Sequence, residues 1–147
     1  MEIFVAKGNA LITRAAARDL YDWCNMLSEG LFEEQRDLFR KCFLFYMTIS
    51  TDTLNKSFDT SAIDTLDFNK IRRDLFPVLN KKDNFQLDER KKIAKNYISD
   101  LMVLTTKEKE YLDRFEEKKY MPELLFEDAE IVERVKNHPM ALWKCKE

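Results

Sequence analysis

The sequence predicts an all-α fold, a compact domain of six or seven helices, and three observations carry that prediction. Only two glycines and three prolines occur in 147 residues, too few for the many tight reversals of a β-sandwich or barrel. Apolar residues recur at three- and four-residue spacing along most of the chain, the period of a helix with one buried face. Start and stop signals fall where that periodicity begins and ends, among them Gly30, Thr105 with Glu108, and His138-Pro139.

Residues 2–13 are expected to form a helix with Ile3, Ala6, Ala10 and Leu11 on one side. A glycine inside a helix costs about 1 kcal/mol relative to alanine, so Gly8 marks close packing or an approach to the backbone. Residues 15–29 follow as a second helix that opens on three alanines. Leu20, Trp23, Cys24 and Leu27 line its apolar face, and Gly30 sits where a C′ stop belongs. Residues 33–49 are the expected core helix, since Leu38, Phe39, Cys42, Phe43, Phe45, Tyr46 and Ile49 form a face wide enough for more than one neighbour. From Ser50 to Asp67 the composition turns to Ser, Thr, Asp and Asn, which reads as a linker with one short helix. Asp67 can cap a helix from Phe68 that ends at Pro77.

Residues 87–103 are expected as a long amphipathic helix, with Leu87, Ala94, Tyr97, Ile98, Leu101 and Met102 facing in. Thr105 and Glu108 match a capping box for a helix over 106–118, whose narrow face of Tyr111, Leu112 and Phe115 predicts a surface position. Met121-Pro122 breaks the run, and a last helix over 127–137 stops before His138-Pro139. The ring of His138 is expected to cap or pack, and Trp143 to tuck back onto the domain.

At 45% hydrophobic and 35% charged residues the chain can bury a core and is neither disordered nor membrane-embedded. Its 25 basic and 27 acidic residues leave a net charge of −2, which gives no whole-domain attraction to nucleic acid. The three cysteines, Cys24, Cys42 and Cys145, are widely spaced and, with one histidine, offer no zinc-binding pattern. Cys24 and Cys42 read as buried thiols and Cys145 as exposed. The longest apolar window, Cys42 to Ile49, is too short to cross a bilayer, and the opening residues lack the pattern of a secretion signal. A cytoplasmic location is expected.

Lys7, Arg14, Arg18, Asp19 and Asp22 are brought close together by the first two helices. By residue type alone, Arg18 and Asp22 four apart on a helix make a solvated ion pair worth less than about 1 kcal/mol, and Lys7 is a solvated lysine. No P-loop, dinucleotide fingerprint or kinase motif is present.

The order of short phrases says more. Glu2 to Lys7 reads E-x-x-x-x-K, Ala10 to Arg14 reads A-L-x-x-R, and Ala17 to Asp22 reads A-R-D-L-Y-D. Further on stand R-K-C-F-L-F-Y-M-T-I-S from Arg40, F-P-V-L from Phe76, K-Y-M-P-E-L-L-F from Lys119 and H-P-M-A-L-W-K from His138. Together they resemble the AbiEii/AbiGii toxin family, nucleotidyltransferases of type IV toxin–antitoxin pairs. The resemblance implies that residues 1–147 correspond to the family's helical C-terminal domain. It implies that Lys7, with Arg14 and Arg18, meets nucleotide phosphates, and that an aspartate of the R-D-x-x-D element, Asp19 or Asp22, serves catalysis. Asp19 shares its helix face with Ala15 rather than with Arg18, so it is the freer of the two to reach a ligand.

The family's metal-binding half uses a Gly-Ser loop and paired aspartates to hold magnesium beside a nucleoside triphosphate, and this chain contains neither Gly-Ser nor D-x-D. The resemblance therefore implies that the transfer needs a separate N-terminal nucleotidyltransferase domain, with an antitoxin protein and an RNA acceptor as further partners and no membrane. Lys70, Arg72 and Arg73, then Lys81 and Lys82, then Arg90, Lys91, Lys92 and Lys95 are the clusters that could meet a phosphate backbone, although interleaved acids make them equally ordinary solvated faces. The other reading is a helical protein-interaction module without catalysis. An enzyme half should expose an apolar patch where its partner packs, whereas an adapted module should be monodisperse.

Overall fold

A computed structural model describes residues 2–51, 58–66 and 87–146. Among these residues there are eight α-helices and no strand: α1 (Glu2–Thr13), α2 (Ala17–Ser28), α3 (Arg36–Ser50), α4 (Ser61–Asp64), α5 (Leu87–Leu101), α6 (Thr106–Glu116), α7 (Ala129–Val135) and α8 (Pro139–Lys144). Short 3₁₀ turns at Glu33–Gln35 and Pro122–Leu124 complete the set. The helix expected from Phe68 and the basic residues Lys70, Arg72, Arg73, Lys81 and Lys82 lie outside the described residues.

The centre of the molecule is α3. It buries Phe39 and Phe43 on one side, against Val5, Leu11, Leu20, Trp23 and Ile98 of α1, α2 and α5. It buries Leu44 and Met47 on the other, against Tyr111, Leu112, Phe115 and Leu125. The wide apolar face read from the sequence is thus divided between two cores, with α1 on one flank and α6 and α8 on the other.

α1 buries a different stripe from the one its spacing suggested. Val5, Gly8, Leu11 and Ile12 face inward, while Ile3 is 69% exposed. The helix is apolar nearly all round, so periodicity alone cannot choose its inner face. The choice is made by Trp23. Its indole Nε1 donates to the carbonyl of Phe4 at 2.6 Å, and its ring lies so near Gly8 that a Cβ there would stand 2.2 Å from Cζ2. Gly8 is required for this approach of α1 to α2, a clash no side-chain adjustment of a fully buried indole relieves.

α2 starts at Ala17, two residues later than expected. Ala15 has φ of 43° and Ala16 is an extended N-cap with no capping side chain, so the alanine run turns the chain before the helix begins. At its other end Gly30 adopts φ of 68°. Its N–H reaches the carbonyl of Leu27 and that of Leu31 reaches Met26, closing the helix in a Schellman arrangement.

α6 is the surface helix its narrow apolar face predicts, burying Tyr111, Leu112 and Phe115 with Glu108 added to them. Its capping box forms as expected, with the Glu108 N–H donating to Thr105 Oγ1 at 3.2 Å and the Thr105 N–H to Glu108 Oε1 at 3.1 Å. Glu108 is also fully buried, and its two carboxylate oxygens share the single N–H of Arg40 Nε at 2.9 and 3.0 Å. Beyond α7, the histidine of His138-Pro139 both ends one helix and starts another. Its Nδ1 accepts from the Met140 N–H at 3.2 Å, its ring meets Phe45 edge-on, and Pro139 occupies the first turn of α8. Trp143 does not tuck back. It is 68% exposed on α8, beside the exposed Leu142 and near Met140. Cys145 is partly buried against the second core rather than exposed. No helix among the described residues is long and apolar enough to cross a membrane.

Candidate functional site

The contact of Gly8 with Trp23 fixes where the neighbouring charged residues stand. Lys7 precedes Gly8 and Asp22 precedes Trp23, so the same contact carries the ammonium to the carboxylates. Lys7 Nζ lies 2.8 Å from Asp22 Oδ2 and 3.8 Å from Asp19 Oδ1. Lysine therefore takes the place beside Asp22 that helix spacing had suggested for Arg18, which is exposed and makes no ion pair among the described residues.

The two aspartates differ in surroundings. The side chain of Asp19 is 14% exposed and that of Asp22 39%. Burial holds the Asp19 carboxyl above its ordinary range; Lys7 and Arg14 pull it back, and the charge of Asp22 pushes it further up. The geometry separates their roles, with Asp22 as the close partner of Lys7 and Asp19 facing a cleft. Asp19 does not share a helix face with Ala15, which lies outside α2 with φ of 43°.

That cleft, of about 400 Å³, runs between α1 and the C-terminal end of α3. Lys7, Arg14 and Asp19 line it together with Asn9, Thr13, Tyr46, Ser50 and Thr51. The last five were missed at the level of sequence. A signal existed for two of them: Ala6, Asn9, Ala10 and Thr13 repeat at helical spacing as a small and polar stripe on α1. Ser50 and Thr51 were hidden in a segment whose composition resembles a linker. Arg18 and Asp22 do not line the cleft.

The described residues contain no group of three or more His, Cys, Asp or Glu side chains placed to share a metal ion. Asp19 and Asp22 are already held by an ammonium, so they do not fit magnesium on their own. The basic stripe on α5 is partly tied into the fold. Lys95 Nζ meets both carboxylate oxygens of Asp64 at 2.9 and 3.0 Å, Lys91 Nζ donates to the Asp64 carbonyl, and Arg90 reaches Asn25. These cations join α5 to α4 and α2, and Lys92 is left exposed among them.

No family model, curated protein or solved structure matches the chain, and the chemistry of the site rests on its own residues.

Proposed function

We propose that this chain is the helical half of a nucleotidyltransferase of the AbiEii type, whose cleft between α1 and α3 forms one wall of a nucleotide site. The observation that carries the reading is the convergence of Lys7, Arg14 and Asp19 on one cleft, three positions that the motif resemblance singles out. Arg14 and Lys7 supply cations for phosphate oxygens, and Asp19 supplies a half-buried carboxylate with a proton affinity above the ordinary, suited to exchanging a proton with a bound hydroxyl. The magnesium of such a reaction would stabilise charge on the phosphates and would be held by an N-terminal domain. Arg18 stands on the exposed side of α2, where it could contact that domain, an antitoxin protein or an RNA acceptor.

Arg14→Ala is the cleanest test, because Arg14 is exposed and forms no ion pair among the described residues. Calorimetric titration of the 147-residue chain with ribonucleoside triphosphates should show binding that weakens about tenfold in the variant, the worth of one charge-assisted contact. Identical affinities for the two proteins would remove the phosphate role.

The alternative is a non-catalytic protein-interaction module, and the exposed Met140, Leu142 and Trp143 on α8 are the apolar group through which an enzyme half would meet its partner. Sedimentation of the chain alone separates the two. Self-association abolished by Trp143→Ser fits an enzyme half deprived of its partner. A monodisperse chain without nucleotide affinity fits the module.

A further inference from the structure

Seven large apolar side chains are exposed among the described residues, and five of them fall into two groups. Leu31 and Ile93 make the first. They flank a groove of about 490 Å³ between the C-terminal end of α2 and α5, lined also by the partly buried Leu27 and Tyr97. Met140, Leu142 and Trp143 of α8 make the second, and Trp143, 68% exposed, stands out from the surface.

The two groups differ in charge. Glu33 and Asp100 line the groove, and neither makes an ion pair among the described residues. The cation beside them, Arg36, lays its guanidinium over the Tyr97 ring, 5.2 Å from its centre, instead of on Glu33. The end of α8, by contrast, carries ammonium groups. Lys144 closes the helix and bonds to the Thr51 carbonyl, Lys146 is exposed just beyond it, and Lys118 donates to the Lys146 carbonyl at 3.3 Å. None of the three is paired with a carboxylate among the described residues. Arg36 opens α3 and Thr51 follows its last residue, so the groove and α8 stand at opposite ends of a helix about 22 Å long. A single copy cannot fill its own groove with its own α8.

We propose that the groove between α2 and α5 receives α8 of a second copy of this chain, with Leu142 and Trp143 against Leu31 and Ile93, and the lysines at the end of α8 facing Glu33 and Asp100. The other way to cover α8, against a second α8 across a two-fold axis, brings the lysines of both copies together, and like charges in contact weaken an interface. Groove and α8 are different surfaces, so the contact is head-to-tail, and each copy added still offers a groove or an α8 to the next. Three side chains of a six-residue helix give a contact smaller than the roughly 1,200 Å² of stable complexes, so assembly is weak and grows with concentration. Because α8 is also the face offered to a partner domain, self-assembly competes with capture of that partner. The nucleotide cleft, which neither group lines, is untouched.

The experiment is sedimentation of the 147-residue chain and of two variants, Trp143→Ser and Ile93→Lys, at concentrations up to about 1 mM. Both positions are exposed, so both variants should keep the helical circular dichroism of the unaltered chain. The unaltered chain should form species larger than a dimer as concentration rises, and less of them at about 0.5 M salt. Each variant alone should stay monomeric, one lacking the knob and the other the groove. An equimolar mixture of the two should form a dimer and nothing larger, since each pair holds one intact groove and one intact α8. Trp23 is fully buried, so a blue shift of tryptophan emission in that mixture reports Trp143 entering the groove. Should Ile93→Lys fail to fold, Asp100→Lys takes its place in the mixture. Self-association kept in the groove variant and lost in Trp143→Ser would assign α8 a symmetric contact and overturn the proposal. A mixture that stays monomeric, or an unaltered chain that does so at the highest concentration, would also overturn it, and each of these results leaves the nucleotide reading standing.

Discussion

At the scale of single residues, Asp19 can be tested as a group that serves stability or one that serves chemistry. A carboxyl whose folded pKa lies above its unfolded value binds its proton more tightly in the folded state. Between the two values the folded chain holds more protons than the unfolded one, so stability falls as pH rises through that window. At neutral pH the ionised Asp19 is a net cost, with burial as the larger cause and the attraction of Lys7 and Arg14 as the smaller. Asp19→Asn should therefore leave the melting temperature at pH 7 unchanged or raise it, and flatten the acid side of the stability profile. Lys7 keeps its closer partner Asp22 in that variant. If Asp19 has the proposed role, nucleotide binding should fall together with this gain, the pattern expected of a functional group held at some expense to the fold. Thermal melts from pH 3 to 8 on both proteins check the first half, and a melting temperature that drops in the variant at pH 7 would assign Asp19 a structural role instead.

At the scale of elements, the buried contact between α3 and α6 decides how the two cores are joined. Arg40 and Glu108 are 68 residues apart in sequence, and the Arg40 Nε–H is shared between both oxygens of a Glu108 carboxylate wholly shielded from water. Asp37 adds a bond to the same guanidinium at 2.9 Å. Burial pushes the guanidinium toward losing its proton, but the bonds and charges of Glu108 and Asp37 outweigh it and hold Arg40 more firmly protonated than usual. Glu108 is thus both cap and counter-ion, and the two functions can be separated. Thr105→Ala removes the capping side chain and should cost about 1 kcal/mol. Glu108→Ala also leaves Arg40 buried without its partner and should cost about 3–5 kcal/mol. Chemical denaturation of both variants tests this, and equal losses would reduce Glu108 to a cap. The same pair marks the limit of what the sequence could show. Thr105 followed three residues later by Glu108 is a local signature, and the box it predicts is present. The long-range half has no local signature, so the anchoring of this surface helix to the central one through Arg40 is not visible in the sequence. The His138-Pro139 step was legible as a stop, and the start of α8 was missed because proline is at home in the first turn of a helix as well as after its end. In the candidate site, Lys7, Arg14 and Asp19 were named from their motif spacing and line one cleft, Arg18 and Asp22 were named with them and do not line it, and Asn9 and Ser50 are visible only once α1 is seen lying along α3.

At the scale of the whole molecule, α3 makes the two cores interdependent, because consecutive turns of one helix serve both: Phe39 and Phe43 belong to the first, Leu44 and Met47 to the second. Loss of the second core should therefore bring down the first in a single transition. Two tyrosines of that core provide the probe. Tyr111 shares a bond with Thr48 Oγ1 at 3.0 Å and Tyr120 donates to the Val135 carbonyl at 2.5 Å. Burial is the main reason that both phenols are held well above the ordinary tyrosine value. For a phenol the raised folded pKa means that the neutral form is favoured in the folded state. Stability is unaffected below the ordinary value of about 10 and declines above it, as unfolded chains ionise and folded ones do not. Tyrosinate absorbance and helical circular dichroism should consequently change together above pH 10, with the helices of both cores lost at once. Tyr111→Phe deletes the bond to Thr48, at a cost of about 1 kcal/mol near neutrality, yet it removes one of the groups that drive alkaline unfolding. Thr48 still donates to the Phe45 carbonyl in that variant, so no donor is stranded. The variant should be less stable than the unaltered chain at pH 7 and lose stability less steeply above pH 10. Ionisation of all tyrosines with the helical signal intact would show instead that the second core admits water and that α3 does not couple the two halves.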